Sequence, residues 1–392
     1  MKYDVAIIGG GIHGVGVAQA AAAAGYSVVL IEKAELAHGT SSRSSKLIHG
    51  GLRYLEGGHV NLVRECLYER QLLVKNAPDL VKLVPFHIPA YKETSRRPLE
   101  LRAGLTIYGA LTGFHKSARF HVVPRREWGS LDGIKMEGLQ KVFRYFDAQT
   151  DDILLTRAVM DSARELGAEL MEHTELSGAS RDGKGWRLNI VHKGEEKDLQ
   201  AGVLVNASGP WINLILERIE GAHRPRPVDL VQGSHIVLDN KVEKGIYYIE
   251  APEDRRAVFV MPWYDKMLVG TTEKEFHGDP ELTNPTSEEV DYLLATLTHY
   301  FPSFEGTTAA DVVDSFAGLR VLPQAEGRAF SRPRETILMC DDDSAPSLLS
   351  IYGGKLTAYR ATAEKVIKKL KWSLPERKAA ADTHKIKLHR PL

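Results

Sequence analysis

The chain has 392 residues, which is enough for two domains or for one large α/β body with an insertion. Its 51 Lys and Arg residues balance 51 Asp and Glu residues, and this zero formal charge argues against a nucleic-acid-binding protein, which usually carries a basic excess. The composition, 43% hydrophobic and 26% charged with two cysteines, excludes a disordered chain and a disulfide scaffold and favours a reducing, cytoplasmic setting. No apolar run reaches the ~18 residues of a spanning helix, and the short polar start predicts no signal peptide.

The amino-terminal segment predicts a strand–turn–helix–strand unit. Asp4 to Ile8 is a β-branched run typical of a buried parallel strand. After a glycine-rich turn, the stretch from Val15 to Ala24 predicts a helix, because alanine is the strongest helix former, and Gly25 is a natural stop. A second apolar strand, Ser27 to Ile31, completes a βαβ element.

The turn of this unit fits the dinucleotide-binding pattern G-x-G-x-x-G at Gly9, Gly11 and Gly14. These glycines permit a tight turn, close approach of the backbone to a pyrophosphate and close packing of helix on strand. Glu32 follows Gly14 by eighteen residues, where a carboxylate can accept hydrogen bonds from both ribose hydroxyls. FAD and NAD share the pattern. FAD is favoured because the motif opens a long, discontinuous chain that contains no second such motif.

Further elements are predicted along the rest of the chain. The predicted helices are 65–75, 151–167, 287–300 and a last one that ends near Lys371. The strand-like runs of a predicted antiparallel sheet are 235–238, 257–261 and 267–270. Two buried strands that lead into glycine-containing turns are 202–209 and 348–352.

Residues 365–392 carry nine Lys or Arg against two acids, so this basic tail is either a solvated end or a contact with an anionic membrane surface.

Several longer segments carry a family resemblance. They are DVAIIGGGIHGVG at 4–16, TSSRSSKLIHGGLRYLE at 40–56, YFDAQTDDILLT at 145–156, VNASGPWIN at 205–213, QGSHIV at 232–237, VGTTEKEFHGDP at 269–280, AGLRVLP at 317–323 and YGGKLTAYR at 352–360. On these segments the sequence resembles the FAD-dependent glycerol-3-phosphate dehydrogenases, within the D-amino-acid-oxidase-like flavoproteins. It departs from them at His13, where the family commonly has Asn, and the family's usual C-terminal helical domain is expected to be missing.

The resemblance implies an α/β fold with two domains. One is an FAD-binding Rossmann-like domain of the D-amino-acid-oxidase type (GR2), and the other is a substrate domain built mainly on an antiparallel sheet. The FAD-binding domain is discontinuous and is predicted at 1–80, 145–215 and 330–372. The substrate domain is predicted at 81–144 and 216–329, and the basic C-terminal tail at 373–392.

Oxidation of an alcohol by a flavin needs a hydride path, a base for the hydroxyl proton and a clamp for the rest of the substrate. Arg53, Arg320 and Lys355 lie in glycine-rich turns, where a cation can point into a cleft and hold a phosphate dianion. The resemblance implies that the substrate contacts Arg53, Tyr54, Arg320 and Lys355. It implies that the catalytic residues are His235, Arg320 and Lys355. His235 is the more natural proton acceptor because histidine titrates near neutral pH, with an Arg or a water as alternatives.

The FAD is expected to contact a larger set of residues. The hydroxyls and N–H groups of the serine-rich loop suit its phosphates and ring. The last glycine turn suits the pyrimidine end of the flavin, where a helix N-terminus stabilises negative charge. The implied cofactor-binding residues are Gly9, Gly11, Gly14, Glu32, Lys33, Thr40, Ser41, Ser42, Ser45, Lys46, Leu47, His49, Gly209, Gly353, Gly354, Lys355, Leu356 and Thr357. The sequence contains no His, Asp and Glu cluster with zinc spacing, so no metal is predicted.

The leading hypothesis is FAD-dependent oxidation of sn-glycerol 3-phosphate to dihydroxyacetone phosphate in glycerol metabolism. Hydride transfer to flavin N5 is followed by electron transfer to an acceptor such as quinone. Two alternatives stay open: an oxidase or dehydrogenase of an amino acid, amine or 2-hydroxy acid, and a flavin-binding regulatory or assembly module. The implied partners are a phosphorylated alcohol and an electron acceptor, and no nucleic acid. The expected location is cytoplasmic, and peripheral membrane contact and a homo-oligomer are open alternatives.

Overall fold

The structure is a computed structural model, and it describes residues 2–113, 119–324 and 336–391. Its strands are β1 (Lys2–Ile8), β2 (Val28–Ile31), β3 (Leu47–Ile48), β4 (Val81–Tyr91), β5 (His121–Val122), β6 (Leu139–Thr150), β7 (Glu169–Met171), β8 (Thr174–Asp182), β9 (Gly185–His192), β10 (Glu195–Asn206), β11 (Val228–Leu238), β12 (Ile246–Glu250), β13 (Ala257–Trp263), β14 (Lys266–Gly270), β15 (Lys274–Phe276), β16 (Val312–Pro323), β17 (Ile337–Cys340) and β18 (Leu348–Tyr352). Its helices are α1 (Ile12–Ala23), α2 (Val60–Asn76), α3 (Pro98–Ala110), α4 (Asp152–Glu165), α5 (Ile212–Leu216), α6 (Ser287–Tyr300) and α7 (Tyr359–Leu370). The predicted helices are confirmed as α2, α4, α6 and α7.

A first sheet contains eight of the described strands around a parallel centre. The path runs β17-β18-β10-β1-β2-β7, in which only the edge strand β17 is antiparallel to its neighbour among the described strands. Strands β9 and β8 continue from β10 as antiparallel hairpins. The apolar run predicted at 4–8 is buried in β1 because both faces of a parallel sheet are covered.

Helix α1 packs in the middle of the first layer, against α4 and α7. Its sequence is mostly alanine and glycine, and nearly all of its residues are buried. Small side chains are needed there: a Cβ on Gly16 would come within 2.7 Å of the ring of Tyr359 on α7. The alanine-rich stretch therefore allows close helix packing as well as favouring a helix.

A second sheet contains ten of the described strands and is almost entirely antiparallel. The path runs β15-β11-β14-β13-β12-β4-β6-β3, with β16 added on β11 and β5 on β6. Among the described strands of this second sheet, only the short β12–β4 pairing is parallel. The strand-like runs predicted at 235–238, 257–261 and 267–270 lie in β11, β13 and β14, so the predicted fold class is confirmed.

The predicted domain boundaries stay a prediction. They can be compared with the positions of the strands in the two sheets. Strand β6 runs through the boundary proposed between residues 144 and 145. Strand β3 pairs with β6 in the second sheet, although residues 47–48 were assigned to the FAD-binding part. The boundary proposed between 329 and 330 lies outside the described residues.

The basic tail after α7 folds back onto the first layer. The N–H groups of Ala380 and Ala381 donate to the carbonyl of Ala23 at 2.8 and 3.0 Å, and Leu388 is buried against the end of α2, where its N–H donates to Asn76. Most of the tail residues are exposed to solvent, but backbone hydrogen bonds and the buried Leu388 attach the tail to the first layer. Among the helices described, none combines the length and the apolarity needed to cross a membrane.

Candidate active site

A cavity of about 380 Å³ lies where the two sheets meet. One wall comes from the turns that follow the parallel strands β1, β2, β10 and β18, and the opposite wall comes from β11 and β16 of the second sheet. The carboxyl ends of parallel strands are the usual ligand site of such α/β layers. The cavity therefore extends from the predicted dinucleotide turn to the predicted substrate residues.

The glycine turn after β1 forms one end of the cavity. Gly9 has a φ of 108°, and a Cβ on Gly14 would lie 1.8 Å from the carbonyl oxygen of Gly9. Gly9 and Gly11 line the cavity directly, and the N–H of Ile12 donates to the hydroxyl of Ser41 at 2.9 Å. The turn is thus open, and it brings the N-terminus of α1 to the cavity, where a pyrophosphate is stabilised.

Glu32 lies at the end of β2 and lines the same part of the cavity. Its carboxylate accepts hydrogen bonds from the N–H groups of Gly10 at 2.6 Å and Ala34 at 2.9 Å. These two bonds fix the carboxylate beside the glycine turn. A carboxylate held there can accept hydrogen bonds from ribose hydroxyls and would repel a 2′-phosphate. The contact of Glu32 with the ribose stays a prediction.

The serine-rich loop divides into cavity residues and supporting residues. Thr40, Ser41 and Ser45 line the cavity, and the Thr40 hydroxyl donates to the Leu319 carbonyl of β16 at 2.7 Å. Ser42 and Lys46 lie outside the cavity lining, and their predicted cofactor contacts stay a prediction.

Lys46 turns away because its ammonium group is buried against Asp152 at the start of α4. The Nζ–Oδ1 distance is 2.7 Å, and both side chains are almost completely enclosed. Burial raises the pKa of the Asp152 carboxyl, and the Lys46 charge opposes that shift. Lys46 therefore holds the loop to α4 instead of facing the cavity.

The glycine turn after β18 forms the other end of the cavity. Gly353 and Gly354 have φ values of 71° and 112°, and Lys355, Leu356 and Thr357 follow them along the lining. A Cβ on Gly354 would lie 2.1 Å from Nε2 of His13, so these two residues are in close contact.

His13, the position at which the chain departs from its family pattern, also lines the cavity. Burial lowers the pKa of His13 to about 4, so the ring is neutral at pH 7. Its Nδ1 atom is buried and has no hydrogen-bond partner among the described residues. A neutral ring therefore stands beside the turn predicted to contact the pyrimidine end of a flavin.

Two of the three predicted cations reach the cavity from distant parts of the chain. Arg320 on β16 and Lys355 after β18 both line it, and Arg53 lies outside the lining. The Lys355 ammonium lies 3.5 Å from the ring centroid of Tyr54, another lining residue. The guanidinium of Arg320 lies 3.4 Å from the hydroxyl of Thr271, and a Cβ on Gly233 opposite would come within 2.8 Å of it.

His235 and His49 are the two predicted histidines of the cavity. His235 is 1% exposed, stacks on Phe316 and has its Nε2 atom 2.9 Å from the Ser45 hydroxyl. Burial, together with the charges of Arg320 and Lys46, lowers the pKa of His235 well below its usual value. His49 is only half-buried.

Most of the remaining predicted cofactor residues line the cavity as well. Those residues are Lys33, Leu47 and Gly209. Gly14 does not line the cavity, but the turn has no room for a side chain at this position. Sequence reasoning missed Arg43, Ser44 and Trp211, which also line it. Trp211 lies in the VNASGPWIN segment that carried the resemblance, and the Lys33 ammonium lies 4.3 Å from the centroid of the Trp211 ring.

These residues fit an FAD molecule. The open glycine cradle and Glu32 suit the adenosine diphosphate half, and the long lining from Thr40 to Thr357 suits the flavin half. Within residues 2–113, 119–324 and 336–391, no group of three or more His, Cys, Asp or Glu side chains is placed to hold a metal ion.

Comparison with known proteins agrees with this geometry. Residues 4–360 match the family model described as FAD dependent oxidoreductase. The glycerol-3-phosphate dehydrogenase of Pseudomonas aeruginosa is 38% identical over 380 residues, which cover 94% of this chain and 71% of that protein. The D-erythritol 1-phosphate dehydrogenase of Brucella abortus is 35% identical over 377 residues, with 95% and 74% covered. The structure of the Bacillus halodurans glycerol-3-phosphate dehydrogenase with FAD matches with a TM-score of 0.78 and 26% identity, over 99% of this chain and 68% of that one.

Proposed function

The chain belongs to the FAD dependent oxidoreductase family, and from that premise we propose that it oxidises sn-glycerol 3-phosphate to dihydroxyacetone phosphate. One observation carries the proposal. Arg320 on β16 of the second sheet and Lys355, which follows β18 of the first sheet, are 35 residues apart and line the same cavity as the dinucleotide turn. Two cations suit a phosphate dianion, whereas a carboxylate substrate usually needs one Arg.

In this proposal the residues of the cavity have different roles in binding and oxidising the substrate. FAD, when bound, would supply the two-electron oxidant for the carbinol carbon of the substrate. Arg320 and Lys355 hold the phosphate, and Tyr54, against whose ring Lys355 packs, limits the space beside it. The carbinol then loses a proton and a hydride together, which leaves the ketone. Electrons pass on to an acceptor such as quinone.

The two candidate proton acceptors are His235 and His49, two of the histidines that line the cavity. His235 is neutral at pH 7, so its ring is free to accept, but the neighbouring cations make it a weak base. The Ser45 hydroxyl, which lines the cavity, offers it a route to the substrate. His49 is half-buried. His235→Asn and His49→Asn variants separate the two candidates. The variant that loses the acidic limb of the pH–rate profile identifies the acceptor.

A second substrate is favoured by one relative. The D-erythritol 1-phosphate dehydrogenase of Brucella abortus is similar over 95% of this chain, so a longer phosphorylated polyol is the competing candidate. Both substrates place a phosphate near the same cations. They differ in the length of chain that must fit beyond the reacting carbon.

The test is an anaerobic titration of the FAD-loaded protein, followed by flavin absorbance. Bleaching by glycerol 3-phosphate at a lower concentration than by erythritol 1-phosphate supports the proposal. Bleaching only by an amino acid or a 2-hydroxy acid contradicts it, and FAD uptake without bleaching by any of these compounds supports a non-enzymatic module. Arg320→Ala should raise the half-saturating phosphate-ester concentration about 10- to 100-fold, since a hydrogen bond to a charged group contributes ~1.5–3 kcal/mol. Arg102→Ala, on the exposed face of α3, is the control.

A further inference from the structure

The turn from His49 to Gly51 borders the cavity and is held from two sides. His49 lines the cavity, and its N–H donates to the hydroxyl of Thr357 at 3.1 Å. On the other side, the N–H of Gly50 donates to the hydroxyl of Tyr108 on α3 at 2.8 Å. Thr357 is itself part of the cavity lining, whereas Tyr108 lies outside it.

Tyr108 is the end of a buried chain of polar groups. Its hydroxyl donates to Oδ2 of Asp147 on β6 at 2.7 Å, and Oδ1 of Asp147 is paired with the guanidinium of Arg70 on α2. Arg70 also donates to the Phe146 carbonyl at 3.0 Å. Tyr108, Asp147 and Arg70 are all completely buried. Because the single hydroxyl proton of Tyr108 goes to Asp147, the oxygen presents a lone pair to the N–H of Gly50.

The turn fits this support closely. A Cβ on Gly50 would lie 2.5 Å from the Tyr108 hydroxyl and 2.6 Å from a methyl carbon of Leu67. Gly51 follows with a φ of 77°, in the left-handed region that favours glycine. The backbone of the turn is therefore pressed against Tyr108 with no room for a side chain between them.

A buried ion pair is a weak source of stability, because removing two charges from water offsets most of their attraction. An apolar triad would fill the same space. Packing alone does not explain why Arg, Asp and Tyr are found here. The hydrogen bond from Gly50 to the Tyr108 hydroxyl does, because an apolar side chain could not accept it. Tyr108, Asp147 and Arg70 all lie outside the cavity lining, so they act through the turn.

We propose that Arg70, Asp147 and Tyr108 form a positioning network that fixes the His49–Gly51 turn at the cavity and sets the rate of substrate oxidation more than substrate binding. The inference rests on the proposed function, since it assigns the turn a place beside the reacting atoms. Each member comes from a different element, α2, β6 and α3. The network thus links the second sheet and its helices to the geometry of the site.

Tyr108→Phe tests the proposal, because it removes one hydroxyl and keeps the ring. The rate of anaerobic flavin reduction per bound FAD should fall at least ~10-fold, since a misplacement of 1 Å can cost ~100-fold. The half-saturating substrate concentration and the FAD dissociation constant should change by less than ~3-fold. Tyr91→Phe is the matched control: it removes another buried hydroxyl bond, to the Lys135 carbonyl at 2.8 Å, away from the cavity.

A second measurement does not need turnover. Hydrogen exchange of the peptide that contains Gly50 should show its N–H protected like the buried strands in the wild-type protein, and exposed in Tyr108→Phe. Exchange in the wild type at the rate of an open loop would overturn the proposal. So would an unchanged reduction rate in Tyr108→Phe, or equal losses in both tyrosine variants. If wild-type flavin is bleached only by a different substrate, the proposed function fails, and the network is then tested with that substrate.

Discussion

Lys46→Met removes one partner of the buried pair that anchors the serine-rich loop. The Lys46 ammonium lies 2.7 Å from Asp152 and also donates to the Ser42 carbonyl at 2.5 Å. Methionine keeps most of the length of the side chain and has no charge. Lys46 has a φ of 59°, and Met and Lys tolerate that conformation about equally, so the change isolates the loss of the ammonium group.

The expected cost follows from what Asp152 retains. Breaking a buried pair from one side costs ~3–5 kcal/mol, because the other charge stays buried without its partner. Asp152 keeps hydrogen bonds from the N–H and hydroxyl of Ser44 at 3.0 and 2.6 Å and from the N–H of Ile153 at 3.0 Å. These donors place the loss in unfolding free energy near the lower limit, about 3 kcal/mol.

Urea unfolding of the FAD-free protein at pH 7 measures this loss. The control is Lys266→Met, which breaks an exposed pair with Asp239 at 3.1 Å and should change the unfolding free energy by about 0–1 kcal/mol. A loss of less than ~1 kcal/mol in Lys46→Met would show that the buried pair does not anchor the loop.

The pH dependence gives an independent test of the same reasoning. Burial raises the pKa of Asp152 in the folded protein, and loss of the Lys46 charge raises it further. A carboxyl group with a raised pKa binds a proton more readily when folded, so its destabilising effect is present at neutral pH and decreases as the pH falls through the raised pKa. The difference in stability between Lys46→Met and the wild type should therefore be smaller at pH 5 than at pH 7. An equal difference at both values would refute the assignment to a buried carboxylate.

Three further outcomes are expected. Gly14→Ala should be purified without FAD, because its Cβ would lie 1.8 Å from the Gly9 carbonyl oxygen. The ratio of flavin to protein absorbance measures this loss, and Gly129→Ala, with open space around it, should keep its FAD. Deletion of residues 374–391 should lower the thermal midpoint by several degrees and leave liposome sedimentation unchanged, because the tail packs on the first layer. Glu32→Ala should weaken FAD binding roughly 10- to 100-fold, since a carboxylate that accepts two N–H bonds beside the glycine turn is lost.

The glycine turn was predictable because its cause is local. A buried strand, three glycines, an alanine-rich helix and an acid after the next strand lie within about thirty residues, and each follows from a short-range rule. The order of the second sheet depends on long-range pairing instead. Strand β11 bonds to β14, β15 and β16, which follow it along the chain at different distances, and no local pattern fixes that choice.

Side-chain direction in the site was the least predictable feature. Lys46 was predicted as a cofactor contact of the serine-rich loop and Arg53 as a cation of a glycine-rich turn, but Lys46 points to Asp152 and Arg53 lies outside the cavity lining. Both outcomes depend on a partner or a surface supplied by a distant element. The sequence offered no signal for Asp152 as that partner, since an acid at the start of a helix is common.

The cavity depends on both sheets at once. The first sheet contributes the glycine turns and Lys355, and the second contributes His235 and Arg320. The serine-rich loop joins them: Thr40 donates to β16, Ser45 contacts His235, and the loop is anchored to α4 through the Lys46 pair. The residues predicted to contact the dinucleotide phosphates and ribose therefore follow strands of the first sheet, while Lys355 and Arg320, which we propose hold the phosphate ester, come from both sheets. In this proposal, cofactor binding depends mainly on the first sheet, and substrate binding depends on the packing of the second sheet against it.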